Sequence, residues 1–499
     1  MLFIGIDSGT QSTKSVVLDF DTGAIIAHAS SKYDVIDGLP PGHMEQHPVT
    51  WINAVDDTIE SCLQQIGARK SEVRGIGVSG QQHGMVALDA NDAPVRAAKL
   101  WCDTSTAAEC EALAAAFGGA AGLIEKAGNN IPPGFTAPKI LWLKRHEPEN
   151  FAKTKSILLP HDYINFHLTG VKRMEYGVAS GTGLLNVGTK QWERDLISFI
   201  DPRVNDMLPE VGSSLARHGE LREALRQRWG LPAGVVVSAG GGDNMMGAIG
   251  TGNVSPGVVT VSLGTSGTLF ACADKPVVDP KGEVAAFCDS ADQWMPLVCT
   301  MNVTVLTEQV REIFAWELPK LEKHVSAAPA GADGLLFLPY LNGERTPNLP
   351  NGTGVLYGLR TSNMNPAHIA RAAVEGVTTG LAYGLGRFKE LGVTPSEIRL
   401  TGGGSRSAAW RQIVADVFGV SVVTLNTAEG AGLGAAVQAA YVALHESGTV
   451  TTMKELCAKL VELDESTRAQ PNAVNHTLYT AQLERQTNLM RALQGAGWL

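Results

Sequence analysis

The sequence predicts an α/β protein in which two duplicated domains face a central cleft. Short β-branched segments alternate with amphipathic helical stretches, which is typical of this class. The 499 residues exceed what one compact core accommodates. Residues 8–13 resemble residues 263–268, and later in each half residues 72–77 resemble residues 397–402. This repetition indicates a duplication, and a cleft between two similar halves is a usual place for a ligand.

The first half begins with a predicted meander of three short strands. Residues 2–6 are apolar and predict a buried first strand. Small polar residues at positions 7–14 predict a turn, and residues 15–20 and 24–29 predict the second and third strands. This order differs from the strand, glycine-rich loop and helix of a Walker-type nucleotide site.

The boundary between the domains is predicted in residues 247–256, where glycine, asparagine and proline cluster. The N-terminal domain then comprises residues 1–247 and the C-terminal domain residues 248–499. Apolar residues at helical spacing predict a long packed helix over residues 365–387. Residues 451–499 are predicted to form a peripheral helical tail.

Composition and charge exclude several classes of protein. The formal net charge is -10, which argues against a nucleic-acid or membrane-surface partner. The seven cysteines are scattered and form no close pair, which argues against a disulfide framework or a structural zinc site. The apolar N-terminus lacks the features of a signal peptide, and no run of about eighteen apolar residues occurs. We therefore expect a cytoplasmic protein.

Two turns are candidates for binding phosphate groups. In each, small residues allow backbone N–H groups to approach phosphate oxygens, with hydroxyl groups beside them. Asp7, at the end of the first strand, is placed to bind Mg²⁺. The alternative is that each turn is only a tight hairpin. The candidate residues are Gly9 and Thr10 in the first turn and Gly264, Thr265 and Ser266 in the second.

A third glycine-rich segment follows a predicted strand at residues 398–400 and precedes a predicted helix at residues 408–418. Glycines permit close contact with a flat ligand, and a helix N-terminus favours negative charge, so the segment predicts an adenosine-diphosphate site. A structural strand-to-helix turn is the alternative. The candidate residues are Gly402, Gly403, Gly404 and Ser407.

Asp243 is the strongest candidate for a catalytic carboxylate. It follows a buried strand at residues 235–237 and three glycines, which leave room for a substrate. Transfer of a phosphoryl group to a hydroxyl needs a base or an orienting carboxylate near the γ-phosphate. The alternative is that Asp243 caps the helix predicted over residues 245–249. Both can hold, because a capping aspartate can also face a cleft.

Polar and aromatic residues at other strand ends predict a polyol site. Gln82 and His83 follow the strand at residues 75–78 and can hydrogen-bond several hydroxyl groups. Trp101 and Asp103 offer an aromatic face and a carboxylate. The alternatives are a structural histidine, a core tryptophan and a turn aspartate. The histidines show no metal-ligand spacing, so we expect no protein-held transition metal.

Together these motifs resemble the FGGY carbohydrate kinases of the actin/hexokinase superfamily. The resemblance extends to about residue 441, and two longer segments, residues 134–146 and 354–375, are similar to the family's signature regions. It implies two actin-like (ribonuclease H-like) ATPase domains and phosphoryl transfer from ATP with Mg²⁺. The segments at residues 79–84, 134–139 and 338–347 look most like members that phosphorylate D-xylulose at its terminal hydroxyl.

The resemblance also implies roles for individual residues. Asp243 would be the catalytic base, and Asp7 and Asp243 would lie at the Mg²⁺ site. Gln82, His83 and Asn244 would contact the sugar. Thr10 and Thr265 would lie near phosphates, and the glycines at 402–404 near adenosine. A homodimer is common among similar kinases.

Two departures leave the acceptor open. Gln82 stands where D-xylulose kinases commonly carry methionine, and Ser105 stands where they carry arginine. Ribulose, gluconate, an alditol or glycerol are therefore alternative acceptors. A different class of function, an ATP-switched filament or chaperone subunit, would not need Asp243 beside a polyol site. A further alternative is a protein that senses sugar or ATP, against which the presence of both Asp7 and Asp243 argues.

Overall fold

The computed structural model describes residues 1–427 and 429–499, which divide into two compact units. The first unit consists of Met1–Val254, Ala273–Met295 and Glu429–Val461. The second consists of Ser255–Cys272, Glu462–Leu499 and the described part of residues 296–428. Each unit is made of three separate segments of the chain. The domains predicted from the sequence, residues 1–247 and 248–499, are continuous, and that division stays a prediction.

The strands form two central sheets and several short two-stranded pairs. Their bounds are β1 Leu2–Ser8, β2 Ser12–Asp19, β3 Ile25–Lys32, β4 Glu45–Gln46, β5 Val73–Gly80, β6 Val86–Leu88, β7 Ala98–Lys99, β8 Ser156–Leu158, β9 Arg173–Glu175, β10 Leu185–Asn186, β11 Gln191–Trp192, β12 Glu210–Gly212, β13 Arg217–Glu220, β14 Val236–Ser238, β15 Gly241–Gly242, β16 Val258–Leu263, β17 Gly267–Ala271, β18 Ala285–Cys288, β19 Trp294–Thr300, β20 Leu336–Pro339, β21 Gly354–Tyr357, β22 Glu397–Thr401, β23 Ser421–Leu425 and β24 Leu463–Ala469.

The helices vary from single turns to a helix of 25 residues. Their bounds are α1 Pro48–Ile66, α2 Ala107–Ala116, α3 Gly119–Ala127, α4 Thr136–His146, α5 Pro148–Lys153, α6 Pro160–Thr169, α7 Tyr176–Ser180, α8 Arg194–Ile200, α9 Val204–Met207, α10 Glu223–Trp229, α11 Asp243–Gly250, α12 Thr304–Ile313, α13 Leu318–Ala327, α14 Pro366–Glu390, α15 Ala408–Phe418, α16 Gly430–Glu446, α17 Met453–Leu460 and α18 Ala473–Gly495. Within the described residues, no single helix has the length and apolar character needed to cross a membrane; α2 and α3, bent by 82°, meet those criteria only as a pair.

The sheet of the first unit has the order β13, β14, β5, β1, β2, β3. Strand β1 pairs in parallel with β5 and antiparallel with β2, which confirms the predicted meander. The bounds of the first turn were wrong, because the ladder continues to its tip and pairs Asp7 with Lys14. Asp7 therefore lies within β1, where backbone pairing on both sides fixes its position.

Six strands of the second central sheet repeat this arrangement in the order β24, β23, β22, β16, β17, β19. Strand β16 pairs in parallel with β22 and antiparallel with β17, as β1 pairs with β5 and β2. The outermost strand, β24, runs antiparallel to β23, as β13 runs antiparallel to β14. The predicted duplication is therefore confirmed, and both pairs of similar segments lie on equivalent strands.

The core of the first unit forms around its central strands. Leu2 and Ile4 of β1, Ile76 of β5 and Val237 of β14 are buried together with Trp51 of α1. Because β1 and β5 are apolar along most of their length and covered on both faces, their polar residues are confined to the ends. This packing fixes the carboxyl ends of the strands, where the candidate residues lie.

The predicted tail at residues 451–499 was only partly correct. It contains α17 and α18, but β24 lies between them and pairs with β23. Strand β24 has a charged sequence without apolar alternation, so the sequence did not predict it as a strand. Edge strands commonly carry such charged residues. The tail is not wholly peripheral either, because Tyr479 of α18 is fully buried and donates a hydrogen bond to Glu375 at 2.6 Å.

Candidate active site

Asp7 lies at the end of β1, directly beside Ser79 of β5. The Ser79 hydroxyl donates a hydrogen bond to Asp7 Oδ1 at 2.9 Å. Burial raises the pKa of Asp7, and the charge of Glu429 adds to this, while the bond from Ser79 and the charge of Lys14 oppose it. Lys14 and Glu429 form an ion pair with an N–O distance of 3.0 Å. The net result is an aspartate whose pKa lies above its usual value.

Asp243 is brought to the same strand end by the glycines before it. Strand β15, Gly241–Gly242, pairs with the end of β5, so that Gly241 lies opposite Ser79. The first residue of α11 is Asp243 itself, and Gly242 occupies the N-cap position. The alternative that Asp243 is the N-cap is therefore wrong, because the N-cap lies one residue earlier. A carboxylate in the first turn still interacts favourably with the helix dipole.

The environment of Asp243 raises its pKa to about 6. Loss of water around the carboxylate is the larger cause and the negative charge of Asp7 the second, while hydrogen bonds from Asn244 oppose both. Solvent reaches the side chain, yet protein atoms surround it as densely as a buried group. A recessed carboxylate satisfies both observations, and crowding by protein decides the direction of the shift.

Gln82 and Asn244 form an amide pair next to Asp243. The side-chain N–H₂ of Asn244 lies 3.1 Å from Asp243 Oδ1 and 3.4 Å from Gln82 Oε1. Gln82 is buried, and its own N–H₂ donates to the sulfur of Met245 at 2.9 Å. A Cβ on Gly242 would come within 2.3 Å of Gln82 Cγ, so glycine is required there. The structure thus places both predicted sugar-binding amides beside the carboxylate.

His83 is held in one orientation. Its ring stacks on Phe135 with the centroids 4.6 Å apart, and its Nδ1 lies 2.6 Å from the carbonyl oxygen of Gly181. Because a carbonyl oxygen only accepts, Nδ1 carries a proton in this contact. The stacking and this hydrogen bond together fix the orientation of the ring.

Trp101 lies next to the first turn. Its indole N–H donates to the Thr10 hydroxyl at 3.0 Å, and this hydroxyl donates to Gln81 Oε1 at 3.3 Å. The carbonyl oxygen of Gly9 accepts from Tyr33 and Gln81. The residue is 39% exposed, so part of it is accessible to a ligand. The two predicted residues Trp101 and Thr10 are thus in direct contact.

Asp103, in contrast, is fully buried and hydrogen-bonded by other protein groups. It accepts from the Met44 N–H at 2.9 Å, from Lys99 at 3.1 Å and from the backbone and hydroxyl groups of Ser105. Burial alone would raise the pKa of Asp103, but these hydrogen bonds and the charge of Lys99 lower it. Its environment is that of a structural turn aspartate.

A cluster of possible metal ligands surrounds Lys99 in the described part of the chain. Ligand atoms of His43, Glu45 and Asp103 lie within 4.8 Å of one another. The ammonium group of Lys99 lies 3.3 Å from His43, 3.2 Å from Glu45 and 3.1 Å from Asp103, and 3.9 Å from the ring centre of Trp142. A cation of the protein itself already neutralises this cluster, so we assign no metal to it.

In the second unit, the turn Gly264–Thr265–Ser266 joins β16 and β17. Thr265 and Ser266 are exposed. The carbonyl oxygens of Gly264 and Thr265 accept hydrogen bonds at 3.0 Å from backbone N–H groups at the start of α12. Gly402 has a φ of +81°, and a Cβ there would lie 2.7 Å from the carbonyl group of Leu263. Glycine is therefore needed to bring the 402–404 segment against this turn.

Ser407 has a structural partner. Its hydroxyl accepts from the Trp410 N–H at 2.9 Å as the N-cap of α15 and donates to Glu322. Glu322 also accepts from the Ala409 N–H at 2.9 Å. The helix N-terminus thus already interacts with a carboxylate, so the structural-turn alternative describes Ser407 better than binding of a second anion.

Sequence reasoning missed three side chains around Asp7. Ser79 was within a noted segment but had no role, although parallel pairing of β1 and β5 would have placed it beside Asp7. Lys14 and Glu429 are 415 residues apart, and no short motif links them. Only the contact between β2 and the start of α16 reveals their ion pair.

Comparisons with known proteins agree with this architecture. The FGGY family of carbohydrate kinases matches through its N-terminal domain over residues 2–250 and its C-terminal domain over residues 259–443. A protein of Haemophilus influenzae named xylulose kinase is 41% identical over 97% of this chain and 98% of its own length.

Two solved structures have nearly the same fold. A xyloylose kinase from Brucella ovis aligns with a TM-score of 0.92 and 30% identity, covering 99% of this chain and 100% of that chain. A gluconate kinase from Lactobacillus acidophilus aligns with a TM-score of 0.90 and 25% identity, covering 99% and 98% of the two chains. These similarities confirm the expected actin-like α/β fold.

Proposed function

The chain belongs to the FGGY family of carbohydrate kinases and is a phosphotransferase that uses ATP to phosphorylate a sugar hydroxyl; we propose that its acceptor is the terminal hydroxyl of D-xylulose. The product would be D-xylulose 5-phosphate. The relative from Haemophilus influenzae, which aligns over almost its whole length, supports this choice of acceptor.

In the proposed reaction, Asp243 acts as the general base. The observation that carries this role is a recessed carboxylate with a pKa of about 6, which is ionised at neutral pH yet basic enough to accept a proton. The sugar hydroxyl loses its proton to Asp243 as its oxygen attacks the γ-phosphorus of ATP. The bond from that phosphorus to the β–γ bridging oxygen breaks, and ADP leaves.

Asp7 and Asp243 are suited to hold Mg²⁺. The negative charge of Asp7 raises the pKa of Asp243, so the two carboxylates repel each other, and a divalent cation would relieve this repulsion. When bound, Mg²⁺ would neutralise charge on the transferring phosphate. The hydrogen bond from Ser79 orients Asp7 and favours its ionised form, in opposition to the effect of burial.

Gln82, His83, Asn244 and Trp101 are proposed to bind the sugar. The amides of Gln82 and Asn244 lie beside Asp243, and the ring of His83 is held in one orientation by Phe135 and Gly181. The indole of Trp101 offers an apolar face to the ligand. Asp103 is left out, because its hydrogen-bonding capacity is used within the protein.

The second unit is proposed to bind ATP. The exposed residues Thr265 and Ser266, with Gly264, would contact phosphate oxygens, and Gly402, Gly403 and Gly404 would contact adenosine. In the first unit, Gly9 and Thr10 would contact phosphate as well. Ser407 would act by shaping the adenosine segment, because its hydroxyl caps α15. A cytoplasmic location and a homodimer remain predictions from the sequence.

Gluconate is the alternative acceptor with a specific observation in its favour, because a gluconate kinase has nearly the same fold. The test is ADP release with Mg-ATP and D-xylulose, L-xylulose, D-ribulose, L-ribulose, gluconate, D-arabitol or glycerol. The highest kcat/KM with D-xylulose is expected. A higher value with another acceptor would overturn the substrate proposal and direct attention to Gln82 and Ser105.

A further inference from the structure

Helix α16 packs without intervening side chains against the elements that carry the two carboxylates. A Cβ on Gly5 of β1 would lie 1.8 Å from the carbonyl oxygen of Gly432. A Cβ on Gly77 of β5 would lie 2.0 Å from that of Ala435, and one on Gly434 would lie 1.9 Å from that of Met246 in α11. The backbones are therefore in direct contact, and a shift of α16 would move β1, β5 and α11.

Gln438, in the middle of α16, connects three other segments through one side chain. It is fully buried. Its Oε1 accepts from the Gly240 N–H at 2.7 Å. Its N–H₂ faces the carbonyl oxygens of Ser214, Gly240 and Ser290 at 2.8, 3.1 and 3.1 Å. Two protons thus serve three acceptors, and both polar atoms of the amide are satisfied.

Gly240 begins the loop that leads to Asp243. It has a φ of +70°, and a Cβ there would lie 2.4 Å from His161 Nε2 and 2.4 Å from the Val78 carbonyl oxygen. Gln438 binds both backbone polar groups of this residue. The loop is therefore enclosed by Val78 and His161 and held by an amide from α16.

We propose that Gln438 is a positioning residue that holds the Gly240–Gly242 loop, and thereby the Asp243 carboxylate, in the geometry needed for proton transfer. This inference rests on the proposed role of Asp243 as base. Gln438 touches neither substrate, so its loss should reduce the rate of the chemical step and leave sugar binding nearly unchanged. A displacement of the order of 1 Å at a reacting group can cost about 10²-fold in rate.

The test compares Gln438→Met, which keeps the size of the side chain and removes its hydrogen bonds, with Gln438→Glu, which keeps the acceptor for the Gly240 N–H. The control is Gln486→Met in the second unit. Gln486 is also buried and also donates to a backbone carbonyl, that of Gly376 at 3.2 Å. Asp243→Asn is assayed in parallel. For each folded variant, kcat, the sugar KM and the melting temperature are measured.

We expect Gln438→Met to lower kcat about 10- to 100-fold with the sugar KM within about twofold of wild type. Gln438→Glu sets an oxygen against the three carbonyl oxygens that the N–H₂ faces, so it should lower kcat as well. Gln486→Met should lower the melting temperature without a comparable loss of kcat. If Gln438→Met does not fold, the same criteria are applied to Gln438→Glu, for which a kcat at least about threefold below wild type is expected.

Two results separate the possible failures. A kcat for the Gln438 variants equal to that of Gln486→Met would overturn the positioning role, even with Asp243→Asn inactive. An active Asp243→Asn would instead refute the base on which the inference rests. A rise in sugar KM without a fall in kcat would show that Gln438 supports binding, which also contradicts the proposal.

Discussion

The raised pKa of Asp243 predicts how kcat/KM for the sugar depends on pH. A base with a pKa of about 6 is about 90% ionised at pH 7 and about 10% ionised at pH 5. Activity is present above the pKa and lost as the carboxylate is protonated, so kcat/KM should fall about tenfold between pH 7 and pH 5. An aspartate with an ordinary pKa would remain ionised over this range and give almost no change.

The assay is ADP release with Mg-ATP and sugar both well below their KM values, from pH 4.5 to pH 8.5, so that the rate reports the free enzyme, in which no cation relieves the repulsion between Asp7 and Asp243. Protonation of the nucleotide could also reduce the rate at low pH, so Asp243→Glu provides a control. A decrease that belongs to the base should move in this variant, whereas one that belongs to ATP should not. A wild-type profile that stays flat to pH 5 would refute the argument that crowding and the charge of Asp7 perturb Asp243.

Two further predictions concern stability. Lys99→Met should destabilise the protein by about 3–5 kcal/mol, because it leaves buried Asp103 without its cation. Lys126 forms a solvent-exposed ion pair, so Lys126→Met is the control and should cost much less. Equal losses of stability in urea unfolding would contradict the assigned importance of Lys99. Asp243→Asn should raise the melting temperature at pH 8 and raise it less at pH 4. A folded-state pKa above the unfolded value means that stability falls as pH rises through that window, so a melting temperature unchanged at pH 8 would contradict the raised pKa.

Local sequence patterns were sufficient to predict much of the fold. The apolar segments at residues 2–6 and 75–78 are central strands, and the helix predicted over residues 408–418 has those bounds in the structure. The long helix predicted over residues 365–387 spans Pro366–Glu390. Strand β24 was missed because its charged sequence has no apolar alternation, and only pairing with β23 makes it a strand.

For the candidate site, the sequence alone predicted residues at or just after the ends of central strands. Asp7, Gln82 and Asp243 were predicted separately, and the pairing of β1 and β15 with β5 brings the two aspartates to one strand end. Asp103 was predicted to bind the sugar from a short motif. Such a motif shows neither the burial of this residue nor its ion pair with Lys99.

Side chains that act across long distances in the chain were not predictable. Gln438 contacts Gly240, which is 198 residues away, and Glu322 contacts Ser407, which is 85 residues away. Neither belongs to a recognisable pattern, and each lies in a helix whose sequence does not indicate its contact. Such residues become visible only when the packed structure shows what they touch.

The most direct test of the account is the rate of ADP release by wild-type protein and Asp243→Asn, each with saturating Mg-ATP and D-xylulose. Binding of sugar and ATP by the variant, measured by calorimetry, establishes that both sites remain intact. We predict a kcat about 10²- to 10⁴-fold below wild type, since that is the usual contribution of a general base. A variant that binds both substrates and turns over within tenfold of wild type would contradict the assignment of Asp243 as the base.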